Sequence, residues 1–281
     1  MIEINELSFG YANSDKLFKN MQLAMEKGGI CGLLGKNGSG KTTLLKVIAG
    51  LIFPREGSCR VLGKVPSRRQ PSFLEEIYFL PEDLFVPALT VDNYVEFYAS
   101  FYPRFDHVLL SSCLNEFDLP RDKLLTNFSH GQKKKFLIAF GLATNCRLFI
   151  LDEPTNGLDI PSKAQFRKLL ASIATDEKLF IISTHQVHDV ENLIDSILIL
   201  DEGKIIFHQS LLEVAKQLAF VQQQTEPDLS ACFYYEKQLS GYATVITNSN
   251  DQDTHVDLEI LFNAILSNKT KMQKLFNEVK S

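Results

Sequence analysis

Residues 35–42 read GKNGSGKT, and they lie between an apolar run at 30–34 and an apolar stretch with helical spacing that ends at Gly50. A strand, a glycine-rich turn and a helix in this order form the phosphate-binding loop of nucleotide-binding α/β proteins. The glycines let successive backbone N–H groups and the helix N-terminus face a phosphate. The sequence therefore predicts a nucleotide site formed by Gly35, Asn37, Gly38, Ser39, Gly40, Lys41, Thr42 and Thr43.

Two side chains of this loop and two later carboxylates have the chemistry for hydrolysis of a nucleoside triphosphate. Lys41 is expected to reach the β- and γ-phosphates, and the Thr42 hydroxyl is expected to bind Mg²⁺. Residues 147–154, RLFILDEP, form an apolar strand that ends in Asp152 and Glu153. Asp152 suits the Mg²⁺ shell, and Glu153 suits a general base that accepts a proton from the attacking water. Adjacent acids after a strand are usually a solvated turn, but the phosphate loop 111 positions upstream (152 minus 41) favours catalysis.

The remaining apolar runs predict an α/β fold. Runs at 30–34, 77–80, 148–151, 179–182 and 197–200 are continuously hydrophobic, as are parallel strands that are covered on both faces. Helical patterns separate most of them, which indicates a mostly parallel sheet with right-handed crossovers. Ligands in such sheets lie beyond the carboxyl ends of the strands, where both motifs fall.

Two further segments extend this core. Residues 86–143 are mainly helical and predict an inserted lobe, whose own core is expected to contain Tyr94, Phe97, Tyr98 and Phe101. Residues 196–207 predict two strands around an Asp-Glu-Gly turn, followed by a helix with a capping box at 210–213. Residues 220–281 predict a small C-terminal appendage with strands at 232–235 and 242–247 and a helix at 256–266.

Composition excludes several classes of protein. The 281 residues are 45% hydrophobic and 22% charged, as in globular proteins, and the net charge is −5. The only basic run is 133–135, which we assign to a solvated helix face, so no nucleic-acid partner is expected. Five cysteines without a CxxC pair favour a reducing cytosol. We expect neither a signal peptide nor a membrane-spanning helix.

Residues 128–132, FSHGQ, followed by Asp152 20 positions after Gln132, resemble the LSGGQ signature and Walker B pair of the ATP-binding-cassette (ABC) family. Ser129 and the amides of Gly131 and Gln132 open a predicted helix, whose positive end suits a γ-phosphate. In the family this phosphate belongs to the opposite protomer. An isolated Ser-x-Gly would more often be an ordinary helix cap.

The resemblance covers residues 1 to about 210 and assigns further positions. It implies that Tyr11 stacks on adenine, that Glu82 occupies the Q-loop position near Mg²⁺, and that 155–159, TNGLD, is the D-loop containing Asp159. It also implies that His185 senses the γ-phosphate. Taken alone, Tyr11 and His185 would be an ordinary strand residue and an ordinary surface or core histidine. The chain departs from the family pattern at His130, normally glycine, and at Glu82, normally glutamine.

The resemblance implies a P-loop NTPase with a RecA-like core, an N-terminal antiparallel β subdomain and an inserted helical subdomain that carries the signature. A cassette at 1–210 and a C-terminal extension at 211–281 are the expected domains, with the helical subdomain at about 86–143. The implied cofactors are ATP and Mg²⁺, and the implied activity is ATP hydrolysis.

The implied partners are a second copy or a paralogous cassette as a dimer and a separate transmembrane permease. The chain is then a cytoplasmic exporter subunit that reaches the inner face of the membrane only through the permease. In the family, grooves beside the Q-loop and the helical lobe accept the permease, and Phe85, Tyr102 and Phe105 are the expected contacts.

Two alternatives remain open. One is a soluble ABC ATPase of translation, DNA maintenance or cluster assembly, although this chain has neither a second cassette nor a long coiled coil. The other is a degenerate nucleotide-binding regulator, against which the intact Lys41, Asp152, Glu153 and His185 argue.

Overall fold

A computed structural model of the protein describes residues 1–11, 16–26, 28–228, 232–249 and 254–278. In this part of the chain the strands are β1 Ile2–Phe9, β2 Phe18–Met25, β3 Gly29–Leu34, β4 Glu56–Val61, β5 Ile77–Leu80, β6 Leu148–Asp152, β7 Leu179–Ser183, β8 Ser196–Asp201, β9 Lys204–Ser210, β10 Leu218–Gln223, β11 Tyr234–Gln238 and β12 Gly241–Thr247. The α-helices are α1 Lys41–Ile48, α2 Pro71–Leu74, α3 Val91–Tyr98, α4 His107–Glu116, α5 His130–Ala143, α6 Ile160–Ile173, α7 Leu211–Gln217, α8 Leu258–Ser267 and α9 Lys269–Glu278.

The central sheet has the strand order β5-β6-β7-β3-β8-β9, in which the first five strands are parallel and β9 is antiparallel. All five apolar runs lie in the parallel strands, which confirms that prediction. Leu148 and Ile150 face one apolar core, whereas Phe149 and Leu151 face the other. Because both faces of the sheet are buried, the runs are continuously hydrophobic rather than alternating.

Different elements cover the two faces. The antiparallel sheet β2-β1-β4 and helix α1 share one core with the central sheet. The helices α3 to α6 and the C-terminal elements share the other, in which Phe149 and Phe180 stack at 4.5 Å. The predicted α/β architecture is therefore present, with an antiparallel N-terminal sheet, inserted helices and a C-terminal α/β part.

The inserted helices begin at well-defined caps. Thr90 accepts a hydrogen bond from the Asn93 amide at 3.3 Å, and Asp106 accepts from the Val108 and Leu109 amides at 2.9 Å. Such caps satisfy amides that have no partner inside the helix. The polar residues at the starts of α3 and α4 therefore fix where the helices of the lobe begin.

Only two of the four aromatic residues that we expected in the core of this lobe pack against it. Tyr94 and Tyr98 stack at 4.3 Å and pack against the core. The assignment of Phe97 and Phe101 to the core is wrong, since they are 62% and 61% exposed. Helix α3 ends at Tyr98 and a 3₁₀ turn follows, so the α-helical spacing does not continue to Phe101.

The three expected permease contacts differ in their exposure. Phe85 is 85% exposed, as a contact residue should be. Tyr102 and Phe105 are instead half-buried, with their rings 6.1 and 5.2 Å from that of Phe140. The exposed aromatic side chains of this region are therefore Phe97 and Phe101 in the lobe and Phe85 directly before it.

The C-terminal part is larger than the sequence patterns suggested. It contains the strand predicted at 242–247 as β12 and the predicted helix as α8, whereas the strand predicted at 232–235 is shifted to 234–238, as β11. It also contains β10 and α9, which we did not predict. The sheet order is β10-β12-β11. Its apolar side chains belong to the same core as the central sheet, and the rings of Phe207 and Phe276 meet at 5.0 Å.

All five cysteines are buried free thiols. Burial raises the pKa of Cys31, Cys59 and Cys146 to about 12 and that of Cys113 to about 11. Burial also raises the pKa of Cys232. The thiolate form is therefore scarce at neutral pH.

None of the helices in the described ranges is both long and apolar enough to cross a membrane.

Candidate active site

A cavity of about 900 Å³ lies beyond the carboxyl ends of the central strands. It brings together most of the residues that the motifs predicted. Its lining consists of Tyr11, Lys16, Leu17, Asn37, Gly38, Gly40, Lys41, Thr42, Thr43, Glu82, Asp152, Glu153, His185 and Glu202. Lys16, Leu17 and Glu202 were not predicted. Gly35 and Ser39 lie in the same loop but outside this lining, and Ser129, Gly131, Gln132 and Asp159 lie elsewhere.

The phosphate loop follows a path that glycine alone fits well. Gly40 has φ of 107°, a left-handed conformation, and a Cβ there would lie 2.7 Å from the Phe18 ring. A Cβ at Gly35 would lie 2.4 Å from the carbonyl oxygen of Leu200. The Ser39 hydroxyl is buried and has no hydrogen-bond partner among the described residues. The loop thus combines the N-terminus of α1 with a hydroxyl that lacks a described partner, and both features are expected of a phosphate-binding site.

Lys41 is nearly buried within this loop. Its Nζ donates to the carbonyl oxygens of Gly35 at 2.8 Å and Lys36 at 3.4 Å. Burial lowers the pKa of Lys41, while the neighbouring Glu153 and Asp152 act in the opposite direction. The ammonium is therefore held in place at the base of the loop.

Asp152 and Ser183 are register partners at the ends of β6 and β7. The Ser183 hydroxyl donates to Asp152 Oδ1, whereas the buried Oδ2 has no hydrogen-bond partner among the described residues. A buried carboxylate oxygen without a partner is costly unless a cation or its bound water provides one. Thr42 and Glu82 contribute further oxygens to the same cavity.

These oxygens fit Mg²⁺, which prefers hard oxygen ligands and keeps water and phosphate in its shell. No group of three or more His, Cys, Asp or Glu side chains suited to a metal occurs within the described ranges. A complete protein cage is not needed for Mg²⁺, because one or two protein oxygens plus the substrate phosphates form its usual site.

Glu153 adopts an unusual backbone conformation, with φ of 49° in the left-handed region. Its amide donates to the Ser183 carbonyl oxygen at 3.1 Å and to the Ser183 hydroxyl at 3.2 Å. Its carboxylate Oε1 lies 2.9 Å from Nδ1 of His185, whose side chain is 44% exposed. The two predicted hydrolytic side chains therefore face each other at the cavity.

Tyr11 lies at the mouth of the cavity. Its hydroxyl is hydrogen-bonded to Thr43 Oγ1 at 3.0 Å, and its ring contacts the Phe9 ring edge-on at 5.1 Å. The side chain remains 48% exposed. The ring is thus fixed beside the phosphate loop and still has surface on which a planar base can stack.

The signature and D-loop residues lie outside this cavity, at the starts of two helices. Ser129 caps α5: its hydroxyl accepts from the Gln132 amide at 3.2 Å, and the Gln132 side chain accepts from the Ser129 amide at 3.0 Å. Asp159 caps α6 by accepting from the Ser162 amide at 2.9 Å. A Cβ at Gly157 would lie 3.0 Å from His130 Nδ1, so the ring that replaces glycine lies against the D-loop.

Sequence reasoning placed Lys134 wrongly on a solvated face. This side chain is fully buried, and its Nζ donates to the carbonyl oxygens of Glu153 at 2.9 Å and Asn156 at 3.0 Å. The signal was available, because α5 is apolar all round from Phe136 onward. A lysine in the first turns of a buried helix has no assured solvent face.

The segment after His185 contacts the C-terminal part. His188 Nε2 lies 3.0 Å from Glu259 on α8, and His188 Nδ1 lies 3.4 Å from Glu191. Glu191 in turn accepts from the Leu258 amide at 3.3 Å. A further cavity of about 580 Å³ lies between this segment, the phosphate loop and α8.

Comparisons with known proteins agree with this geometry. A family model described as ABC transporter matches residues 18–156. The chain is 33% identical to the energy-coupling factor transporter ATP-binding protein EcfA1 of Fusobacterium nucleatum, over 73% of this chain and 80% of that protein. It is 28% identical to the bacitracin transport ATP-binding protein BcrA of Bacillus licheniformis, over 99% of this chain and 90% of that protein.

Two further matches concern export and fold. The SkfA peptide export ATP-binding protein SkfE of Bacillus subtilis is 29% identical, over 73% of this chain and 87% of that protein. A solved structure of the ATP binding subunit of an ABC transporter superposes with a TM-score of 0.69 at 25% identity, covering 76% of this chain and 91% of that one. The predicted fold is thereby confirmed.

Proposed function

This chain belongs to the ABC transporter family, and on that premise we propose that it is the motor subunit of an exporter. It is an ATP-binding subunit and an ATPase that uses ATP and Mg²⁺. In our proposal two copies, or one copy and a paralogue, enclose two ATP molecules and drive a separate transmembrane protein from the cytoplasmic face of the membrane. The match to a bacitracin-transport subunit over 99% of this chain supports a transport role, and the similarity to a peptide-export subunit supports export.

The chain's own groups account for the hydrolytic step. Lys41 and the amides of the phosphate loop hold the β- and γ-phosphates. A water oxygen attacks the γ-phosphorus while Glu153 accepts a proton from that water and His185 orients it. The bond from the γ-phosphorus to the bridging oxygen breaks, leaving ADP and phosphate. Mg²⁺, when bound at Asp152 and Thr42, offsets charge on the phosphates.

The observation that carries this proposal is the position of the Glu153 carboxylate, 2.9 Å from His185 in a cavity that also contains Lys41. Glu153→Gln keeps the size of the side chain but removes the base. We expect it to bind ATP normally and to hydrolyse it about 10²–10⁴-fold more slowly, the usual scale for loss of a general base. Hydrolysis at the parental rate would remove Glu153 from the mechanism.

The same variant tests the shared site. Ser129 is exposed and lies outside the cavity of its own chain, which supports a role on the ATP of a neighbouring protomer. ATP should trap Glu153→Gln as a dimer in size-exclusion chromatography. Adding Ser129→Ala should abolish the trapped dimer while leaving ATP binding to the monomer intact. A dimer that persists unchanged would contradict the role of Ser129 across the interface.

An apolar groove supports the transmembrane partner. A cavity of about 670 Å³ lies between the helical lobe and the loop that follows β5, and Phe85, Tyr98 and Phe101 are among its lining residues. Exposed aromatic side chains around an apolar groove are typical of a binding surface. A helix of a membrane subunit is the proposed occupant.

Phe101→Ser tests this surface, with Val108→Ser on α4 as the matched control because Val108 is 80% exposed elsewhere in the lobe. The tagged chain is purified from detergent-solubilised membranes of its own cells. We expect a stoichiometric membrane protein with the parent and with Val108→Ser, and its loss with Phe101→Ser, while the ATPase rate of each isolated chain stays unchanged. A soluble partner in place of a membrane protein would favour the alternative of a non-transport ABC ATPase.

A further inference from the structure

Lys134 is a buried cation that the hydrolytic step described above does not use. It lies on α5 just after the signature, and none of its side-chain surface is exposed. Burial lowers the pKa of Lys134, while Glu82, Glu153 and Asp152 act in the opposite direction. Fully buried lysines are rare and need compensating partners. Here the partners are two backbone carbonyl oxygens, those of Glu153 at 2.9 Å and Asn156 at 3.0 Å.

The carbonyl group of Glu153 matters because its residue is in the left-handed conformation, with φ of 49°. For a residue with a side chain this conformation costs free energy and persists only when its surroundings impose it. The amide of Glu153 donates to Ser183, and its carbonyl oxygen accepts from Lys134 Nζ at 2.9 Å and from the Asn156 amide at 3.3 Å. Without the charged donor only the longer contact from the Asn156 amide restrains this carbonyl, so we expect the carboxylate to be held less firmly beside His185.

We propose that Lys134 is a positioning residue for ATP hydrolysis, whose ammonium fixes the backbone of residues 153–156 so that the Glu153 carboxylate faces the cavity. This proposal rests on the proposed role of Glu153 as the base. It also gives a physical link between two motifs, since one side chain ties the helix that begins at the signature to the carbonyl of the catalytic residue and to the D-loop.

A role limited to fold stability makes a different prediction. If Lys134 only helped to hold the fold together, its removal would lower stability and would act independently of Glu153. If it acts through Glu153, its removal matters only while Glu153 is present. The effects of two residues that act as one unit are strongly non-additive, so a double-mutant cycle separates the two roles.

The cycle compares the parent, Lys134→Met, Glu153→Gln and the double variant by single-turnover ATP hydrolysis, ATP affinity and thermal unfolding. Lys134→Met keeps an unbranched apolar side chain but removes the donors. We expect it to slow hydrolysis by about 10–100-fold, the scale of a catalytic group displaced by about 1 Å, with ATP affinity changed less than about threefold. The double variant should be no slower than Glu153→Gln.

Two further variants keep the test decisive. Lys133→Met, at the adjacent and partly exposed position, is the matched control and should hydrolyse ATP at the parental rate. Lys134→Gln retains a shorter donor and should recover part of the rate. If Lys134→Met does not fold, Lys134→Gln takes its place in the cycle.

A parental rate for Lys134→Met, or a double variant slower than Glu153→Gln by the full factor of the single change, would overturn the positioning role alone. A parental rate for Glu153→Gln would instead show that the proposed base is wrong, and the role of Lys134 would fall with it.

Discussion

Replacing Tyr11 with alanine should weaken ATP binding without affecting the phosphate loop. The ring is fixed before any nucleotide arrives, by the hydroxyl contact with Thr43 at 3.0 Å and the edge contact with Phe9 at 5.1 Å. Little ordering entropy is therefore lost when a base stacks on its exposed half. Stacking of a base on an aromatic side chain contributes about 1–3 kcal/mol, and we take about 2 kcal/mol for a ring held in this way. This corresponds to a roughly 30-fold higher Kd for ATP.

Tyr11→Phe separates the ring from the hydroxyl. It keeps the stacking surface and removes the hydrogen bond to Thr43, which contributes about 0.5–1.5 kcal/mol to positioning of the ring. We expect it to weaken ATP by about threefold, well below the effect of alanine. The assay is isothermal titration with ATP and with inorganic tripolyphosphate, which lacks the base.

Tripolyphosphate affinity should be the same for the parent and for both variants. Equal weakening of ATP and tripolyphosphate by Tyr11→Ala would refute the stacking argument and indicate damage to the loop through Thr43. An ATP affinity of Tyr11→Phe as low as that of the alanine variant would show that the hydroxyl, and not the ring, supports binding.

Two further predictions concern the metal and the C-terminal part. Asp152→Asn should raise the Mg²⁺ concentration for half-maximal ATPase by at least about tenfold, because Asp152 Oδ2, which has no partner in the described part of the chain, suits the cation. An unchanged Mg²⁺ dependence would contradict this site. Glu191 and Glu259 raise the pKa of His188, so the folded state binds its proton more tightly than the unfolded state. This stabilisation is fully present below about pH 6.5 and is lost as the pH rises through the raised folded pKa. The difference in urea unfolding free energy between the parent and His188→Gln should shrink over that window, and a difference independent of pH would contradict it.

Much of the fold was accessible from the sequence because its strongest signals are local. The strands of the central sheet are buried on both faces, so each appears as an unbroken apolar run that no amphipathic helix would give. The phosphate loop and residues 152–153 follow two of these runs directly. Since parallel strands end at one edge, placing the motifs after strands was sufficient to bring Lys41 and Glu153 together.

Other features depend on tertiary contacts that the sequence does not reveal. Helical spacing places Phe97 and Phe101 on the same predicted helix face as Tyr94. It does not show that α5 packs against Tyr94 and leaves the two phenylalanines exposed. Strand β10 was hidden because it continues from α7 into polar residues and becomes a strand by pairing with β12. We assigned Lys134 to solvent because lysine side chains are usually exposed. Its burial depends on hydrogen bonds to the carbonyl oxygens of Glu153 and Asn156, which lie 19 and 22 positions away along the chain.

The burial of every thiol makes this chain a convenient starting point for site-directed labelling. Maleimide and methanethiosulfonate reagents attack the thiolate, which the inaccessible, high-pKa native cysteines rarely present. A cysteine introduced at Val108, in the helical lobe, or at Leu239, at the fully exposed turn between β11 and β12, would then react selectively. With spin labels at these two positions, a nucleotide-dependent movement of the lobe relative to the C-terminal hairpin is measured as a change in the distance between the labels. All five native cysteines can be left in place.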